Sequence, residues 1–126
     1  MKAPIPVAEE DLIYEYIYRV YLISELEENR VSFERLPFKI PEPYVAMIDG
    51  ILKALRLEAR EMKKEMRNLK IKVLEEPQGD EIFFDYLYFA HGYEGSFRFW
   101  EAAMRLEGSR RMKKYINQYM ISSYTH

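Results

Sequence analysis

The chain has no cysteine, only two histidines and one tryptophan, and no apolar run of membrane-spanning length. Without cysteine there are no disulfides, no thiolate nucleophiles and no Cys-ligated zinc or iron–sulfur sites. A reducing compartment is compatible with that composition, and a cytoplasmic location is expected. The N-terminus, Met1-Lys2-Ala3-Pro4-Ile5-Pro6, turns acidic at Glu9, Glu10 and Asp11 with no apolar signal core, so the reading is neither secreted nor membrane-spanning.

The scarcity of histidine also limits the chemistry. His126 is the last residue, which leaves His91 as the internal imidazole. No His-Glu-x-x-His pair, no serine in a nucleophile elbow and no phosphate loop around Gly92-Tyr93-Glu94-Gly95 is found. The acidic residues Glu75, Glu76, Asp80, Glu81 and Asp85 lack the ligand spacing of an EF-hand. The expectation is a non-enzymatic protein without cofactor or metal. An enzyme built on His91 with Glu94 or Glu101 remains only as a residual option, since an imidazole beside a glycine turn more often bonds free carbonyls at a helix end.

What is present describes one folded domain over residues 1–126. Hydrophobic residues make up 48% and charged residues 32%, far from the composition of disordered chains. Tyrosine is abundant, with 11 residues whose rings suit a core and whose hydroxyls must reach water or a partner. The net charge of −2 provides no general attraction for polyanions, but it is unevenly spread. Residues 1–35 hold four basic against eight acidic groups, and residues 36–76 hold nine against seven.

Periodicity predicts helix from about Val7 to Asn29, with Ile13, Ile17 and Val20 on one face and Tyr14, Tyr18 and Tyr21 beside them. Prolines 37, 41 and 43 predict an extended crossing over Val31–Glu42, held down by Phe33, Leu36 and Phe38. A second helix is expected from Pro43 to Leu69, where Val45, Ile48, Leu52, Leu55, Ala59, Met62, Met66 and Leu69 form an unbroken heptad seam. Gly50, the weakest helix former in it, falls on the outer f position, at a cost of about 1 kcal/mol relative to alanine. A last helix is expected from about Ser109 to Ile121.

Residues 70–91 admit two readings. Lys70–Glu76 and Ile82–Phe89 have the composition of a β-hairpin. Against this, Asp80 stands where a helix N-cap belongs and Gly92 where a C′ glycine belongs. The run from Tyr88 to Leu106, with a small-residue turn, Tyr93, Ser96, the aromatics Phe97, Phe99 and Trp100, then Ala102, Ala103, Met104 and Leu106, resembles the turn and second helix of a tetratricopeptide unit. The likeness occurs once, implies a helical hairpin and carries no binding residues with it.

The favoured fold is therefore all-α, four to five helices in a compact domain with a C-terminal helical hairpin. The alternative is α+β with a small hairpin at 70–76/81–89. The expected core is Ile13, Ile17, Val20, Leu52, Leu55, Met62, Leu87, Phe97, Trp100, Met104 and Ile116.

For function, the heptad seam is the strongest hint and points to a protein–protein interaction module, with Leu52, Leu55, Ala59, Met62 and Met66 as candidate interface. A parallel homodimer would set Glu58 against Lys63 and Glu65 against Lys70 of a second copy. In a single chain the same seam packs against the first helix, whose acids (Glu15, Glu25, Glu27, Glu28) face the basic side of the second, and this is the more frequent use of such a stripe. The alternative function is a small nucleic-acid-binding or transcription-associated factor using Arg105, Arg110, Arg111, Lys113 and Lys114, next to Tyr115 and Tyr119. Its competing explanation is a solvated charged face.

Overall fold

Acidic side chains in its first turn and a long run free of glycine and proline allow helix α1 to cover Val7–Arg35. It ends where Leu36 adopts extended geometry ahead of Pro37. Helix α2, Glu42–Asn68, starts with Pro43 in its first turn, where a missing N–H costs nothing. The computed structural model describes residues 5–124. Within them α1 and α2 run antiparallel, as the ion pairs Arg19–Glu58, Glu27–Arg56 and Arg30–Asp49 require. Each helix is about 40 Å long at 1.5 Å per residue. At the turn between them Phe33, Phe38 and Tyr44 stack on one another.

After α2 the chain enters an antiparallel sheet of four strands, β1 (Ile71–Val73), β2 (Gln78–Gly79), β3 (Phe83–Ala90) and β4 (Tyr93–Trp100). β4 pairs with β3 along its whole length, from Phe83↔Trp100 to Ala90↔Tyr93. β1 and β2 follow each other along the other edge of β3, in the registers Val73↔Tyr88 and Gln78↔Asp85. Helix α3, Glu101–Tyr124, follows β4 directly and returns across α1 and α2.

Two clusters form the core. Ile13, Tyr16, Ile17 and Tyr18 of α1 pack with Met66, with Ile71 and Val73 of β1, with Tyr86, Tyr88 and Ala90 of β3, with Phe99 and with Met104. Farther along the helical pair, Leu22, Leu26, Ile48, Ile51, Leu52, Leu55 and Tyr115 join α1, α2 and α3. The sheet thus covers one end of the α1/α2 pair and α3 covers the other.

This architecture is α+β and overturns the all-α expectation and its helical bundle; the hairpin alternative fits better. The C-terminal helical hairpin is instead the β3–β4 hairpin, and the tetratricopeptide-like stretch contains strand, turn, strand and the start of α3. The reason lies in the aromatic pattern. In β3 every second residue, Tyr86, Tyr88 and Ala90, is buried, while Phe83 and Phe89 are exposed. A helix would have spread those rings around its whole circumference, with no single face to bury. The signals read as helix ends serve turns with the same backbone requirements. Asp80 accepts the N–H groups of Ile82 and Phe83 at 2.8 and 3.0 Å. His91 and Gly92 both have positive φ, at 54° and 82°, as a two-residue type I′ hairpin loop demands.

The same change of period moves Trp100 out of the expected core to 57% exposure, because Phe99 takes the inward position. Ile13, Ile17, Leu52, Leu55 and Met104 are buried, and Val20, Met62, Leu87, Phe97 and Ile116 are half-buried. Helix α1 continues through Val31 to Arg35, past its expected end, and α3 begins at Glu101 instead of Ser109.

Candidate interaction surface

The seam residues lie inside the chain. Leu52, Leu55 and Met66 are buried, and Ala59 and Met62 pack half-buried against the cluster that includes the sheet. Two of its flanking charges, Glu58 and Lys63, are engaged within the chain as well. Glu58 accepts Arg19 Nε at 3.2 Å and the Tyr115 hydroxyl at 2.6 Å, and Lys63 pairs with Glu75 at 3.3 Å. Of the four α1 acids expected to meet α2, Glu27 does so, through Arg56 at 2.9 Å.

The basic cluster of α3 divides. Arg105 lies 3.9 Å from Glu101 one turn earlier, and Arg110 pairs with Glu107. Arg111, only 19% exposed, crosses to α1, where its Nε and Nη2 reach the two oxygens of Glu15 at 3.3 and 2.6 Å. It also reaches Glu107 at 3.0 Å, and its guanidinium lies 4.0 Å from the centre of the Tyr18 ring. Lys113 and Lys114 are exposed. Arg110, Arg111 and Lys114 share a cleft of about 480 Å³ with Arg19, a residue that sequence reasoning did not single out. The same walls carry Glu15, Glu58 and Glu107, so most of the positive charge is already met by carboxylates.

Those contacts shape the local ionisation. Burial works to raise the Glu15 carboxyl, but hydrogen bonds from Arg111 and Arg19 outweigh it and hold the group below its ordinary value. Burial, reinforced by donation to Glu58, keeps the Tyr115 phenol neutral well above the usual range. Burial likewise pushes Tyr86 up to about 12.

His91 is exposed in the hairpin loop, and its Nε2 lies 2.7 Å from Glu9 of α1. Glu94 and Glu101, the partners weighed for a catalytic pair, do not meet it. Of the acidic residues around position 80, three are engaged by other groups of the chain. Glu75 accepts the Tyr16 hydroxyl at 3.0 Å, Asp80 caps its turn, and Asp85 holds Arg98 at 2.8 and 3.0 Å. Among the described residues no group of three or more His, Asp or Glu side chains is placed to hold a metal ion, and no helix is long and apolar enough to cross a membrane.

The surface that sequence reasoning missed is the solvent side of the sheet. Phe83 and Trp100 are direct cross-strand partners there, 41% and 57% exposed, and Arg98 lies 5.3 Å from the centre of the Phe83 ring. Phe89 is exposed farther along the same face. The signal was present in the alternation of Tyr86 and Tyr88 with Phe83, Leu87 and Phe89, but it is read only once the segment is taken as strand. The exposed aromatics at the α1–α2 turn differ, since they are already stacked against each other.

No solved structure matches the chain. It is similar to a Bacillus subtilis (strain 168) protein described as "Uncharacterized protein YhjD", 27% identical over 106 residues that span 84% of this chain and 88% of the relative. The family described as YhjD protein matches residues 4–120, nearly the whole chain including both long helices and the sheet, and the chain therefore belongs to the YhjD family.

Proposed function

We propose that this chain is a non-enzymatic protein–protein interaction module that docks its partner on the open face of the sheet. The observation that supports this reading is the exposed pair Phe83 and Trp100, with Arg98 against the Phe83 ring. Tryptophan and arginine are the side chains that most often anchor protein interfaces, and an aromatic pair held by strand register is presented at little entropic cost. The helix 45–69 seam is a poorer anchor, because its central residues are buried. Nucleic-acid binding through residues 105–114 has weaker support, since Arg105, Arg110 and Arg111 each face a carboxylate of the same chain.

The test places a photo-crosslinking residue at Ser96, on this face, and in a second protein at Lys64, on the exposed side of α2. Adducts formed in cells are then identified by mass spectrometry. The expected result is one defined protein captured from position 96, absent from position 64 and lost in the Trp100→Ala background. Capture of a second copy of this chain would make the module a homodimer. Equal labelling from both positions, or labelling unaffected by Trp100→Ala, would overturn the sheet face as the docking surface.

A further inference from the structure

A second cleft, of about 450 Å³, lies between the C-terminal part of α2, β1 and Tyr16 of α1, away from the aromatic pair. Its floor is apolar, from Met66, Ile71 and Val73, all buried. Its rim is basic, from Lys63, Arg67 and Lys72, against the single carboxylate of Glu75. Glu75 is already engaged by the Tyr16 hydroxyl at 3.0 Å and by Lys63 at 3.3 Å. Arg67 and Lys72 have no carboxylate partner among the described residues. This is the reverse of the α3 cleft, where cations and carboxylates nearly balance.

The backbone adds donors and acceptors alike. β1 pairs on one side only, and the ladder bonds fall to Leu74 N–H, which donates to Leu87, and to Lys70 C=O, which accepts from His91. By the alternation of an antiparallel pair, both the N–H and the C=O groups of Ile71 and Val73 point off the open edge of the sheet. An apolar floor and an excess of positive charge at the rim complement one kind of small molecule: an apolar chain ending in an anionic head.

We propose that this cleft binds a small amphipathic carboxylate of the medium-chain fatty acid class. The alkyl chain lies over Met66 and Val73, and the carboxylate faces Arg67; Lys72, set beside Phe89 on the other face of β1, adds charge only around the open edge. The volume is within the range of small-molecule sites, and each methylene removed from water tightens binding by about fourfold.

Isothermal titration of the full chain with hexanoate, octanoate and decanoate tests this. Affinity is expected to rise by about tenfold or more with each two carbons added, because the floor is apolar. Arg67→Ala is expected to weaken decanoate binding by about tenfold, through loss of a charge-assisted contact. Glu75→Gln is expected to tighten it by removing the competing carboxylate. Arg67→Glu, which reverses the charge at an exposed rim position of α2, is expected to abolish binding, with circular dichroism confirming that the variant is folded. The proposal is overturned by the absence of decanoate binding, by affinities that do not depend on chain length, or by unchanged binding in the folded Arg67→Glu protein. Attachment to phosphatidylglycerol vesicles without decanoate binding would likewise overturn it, by assigning the anionic head to a bilayer.

Discussion

Tyr88 lays its ring across Gly95, its direct partner on β4, so closely that a Cβ at position 95 would overlap the ring's Cζ and hydroxyl oxygen. Tyr88 is buried in the core shared with α1, so the ring has no free space to move into. Gly95→Ala is therefore expected to destabilise the protein by about 1–3 kcal/mol through overpacking, although alanine ordinarily improves a strand glycine. Urea unfolding of the variant checks this. A midpoint equal to the parent's would show that the ring yields, and the close approach would then carry no energetic weight.

The hairpin loop isolates a different glycine effect. Around Gly92 a Cβ would meet nothing within 4 Å, but φ is +82°. Gly92→Ala is expected to cost about 1 kcal/mol from backbone strain alone, and Gly92→Asn less, because asparagine tolerates the left-handed region. If the two variants unfold at the same denaturant concentration, strain is not the operative cause.

Arg111 ties α3 to α1 through Glu15 while packing against Tyr18. Arg111→Ala is expected to destabilise the fold by about 2 kcal/mol, more than Arg111→Lys, which keeps the charge but loses the bidentate geometry. The ranking, read from thermal or urea unfolding, is the decisive result.

The lowered ionisation of Glu15 has a defined sign. A carboxyl whose folded pKa lies below its unfolded value of 4.5 contributes stability that is fully present above pH 4.5 and is lost as pH falls through the folded value. Glu15→Gln is thus expected to narrow the gap in stability between pH 7 and strongly acidic solution, relative to the parent. Unfolding curves across that range for both proteins measure it, and parallel pH profiles would exclude Glu15 as a contributor.

At the alkaline end the phenols act in the opposite direction. Tyr16, Tyr18, Tyr86 and Tyr115 are all raised above their ordinary value of 10.0, chiefly by burial. Stability from these groups is present below pH 10 and declines as pH rises toward the folded values, so unfolding should draw tyrosinate absorbance up together with the loss of helix. A tyrosinate signal that develops fully while circular dichroism stays native would contradict their burial.

Much of the helical part was legible in the sequence. The seam from Val45 to Leu69 predicted α2 because an apolar residue at every third or fourth position has one structural use, and the prolines between the first two helices marked their turn. The same logic did not reach residues 70–100. There Asp80 and Gly92 carry turn signals shared by helices and hairpins, and aromatic residues occupy both faces of β3. Gly50, placed on the outer side of α2 by its own helix, is covered by the Tyr119 ring of α3. Arg19 gave no local sign of joining Arg110 and Arg111 in one cleft.

What the sequence determined by itself is therefore what local periodicity and composition can carry: two long helices, the second of them amphipathic, a chain without cysteine chemistry, and a cationic stretch near the C-terminus. What only the tertiary structure decided is which faces remain open. Burial of the heptad seam, exposure of Phe83 and Trp100, and pairing of Arg111 with Glu15 all depend on contacts between residues far apart in the chain. Their energies are set by the register of β3 against β4 and by the path of α3 across α1, quantities that no window of adjacent residues contains.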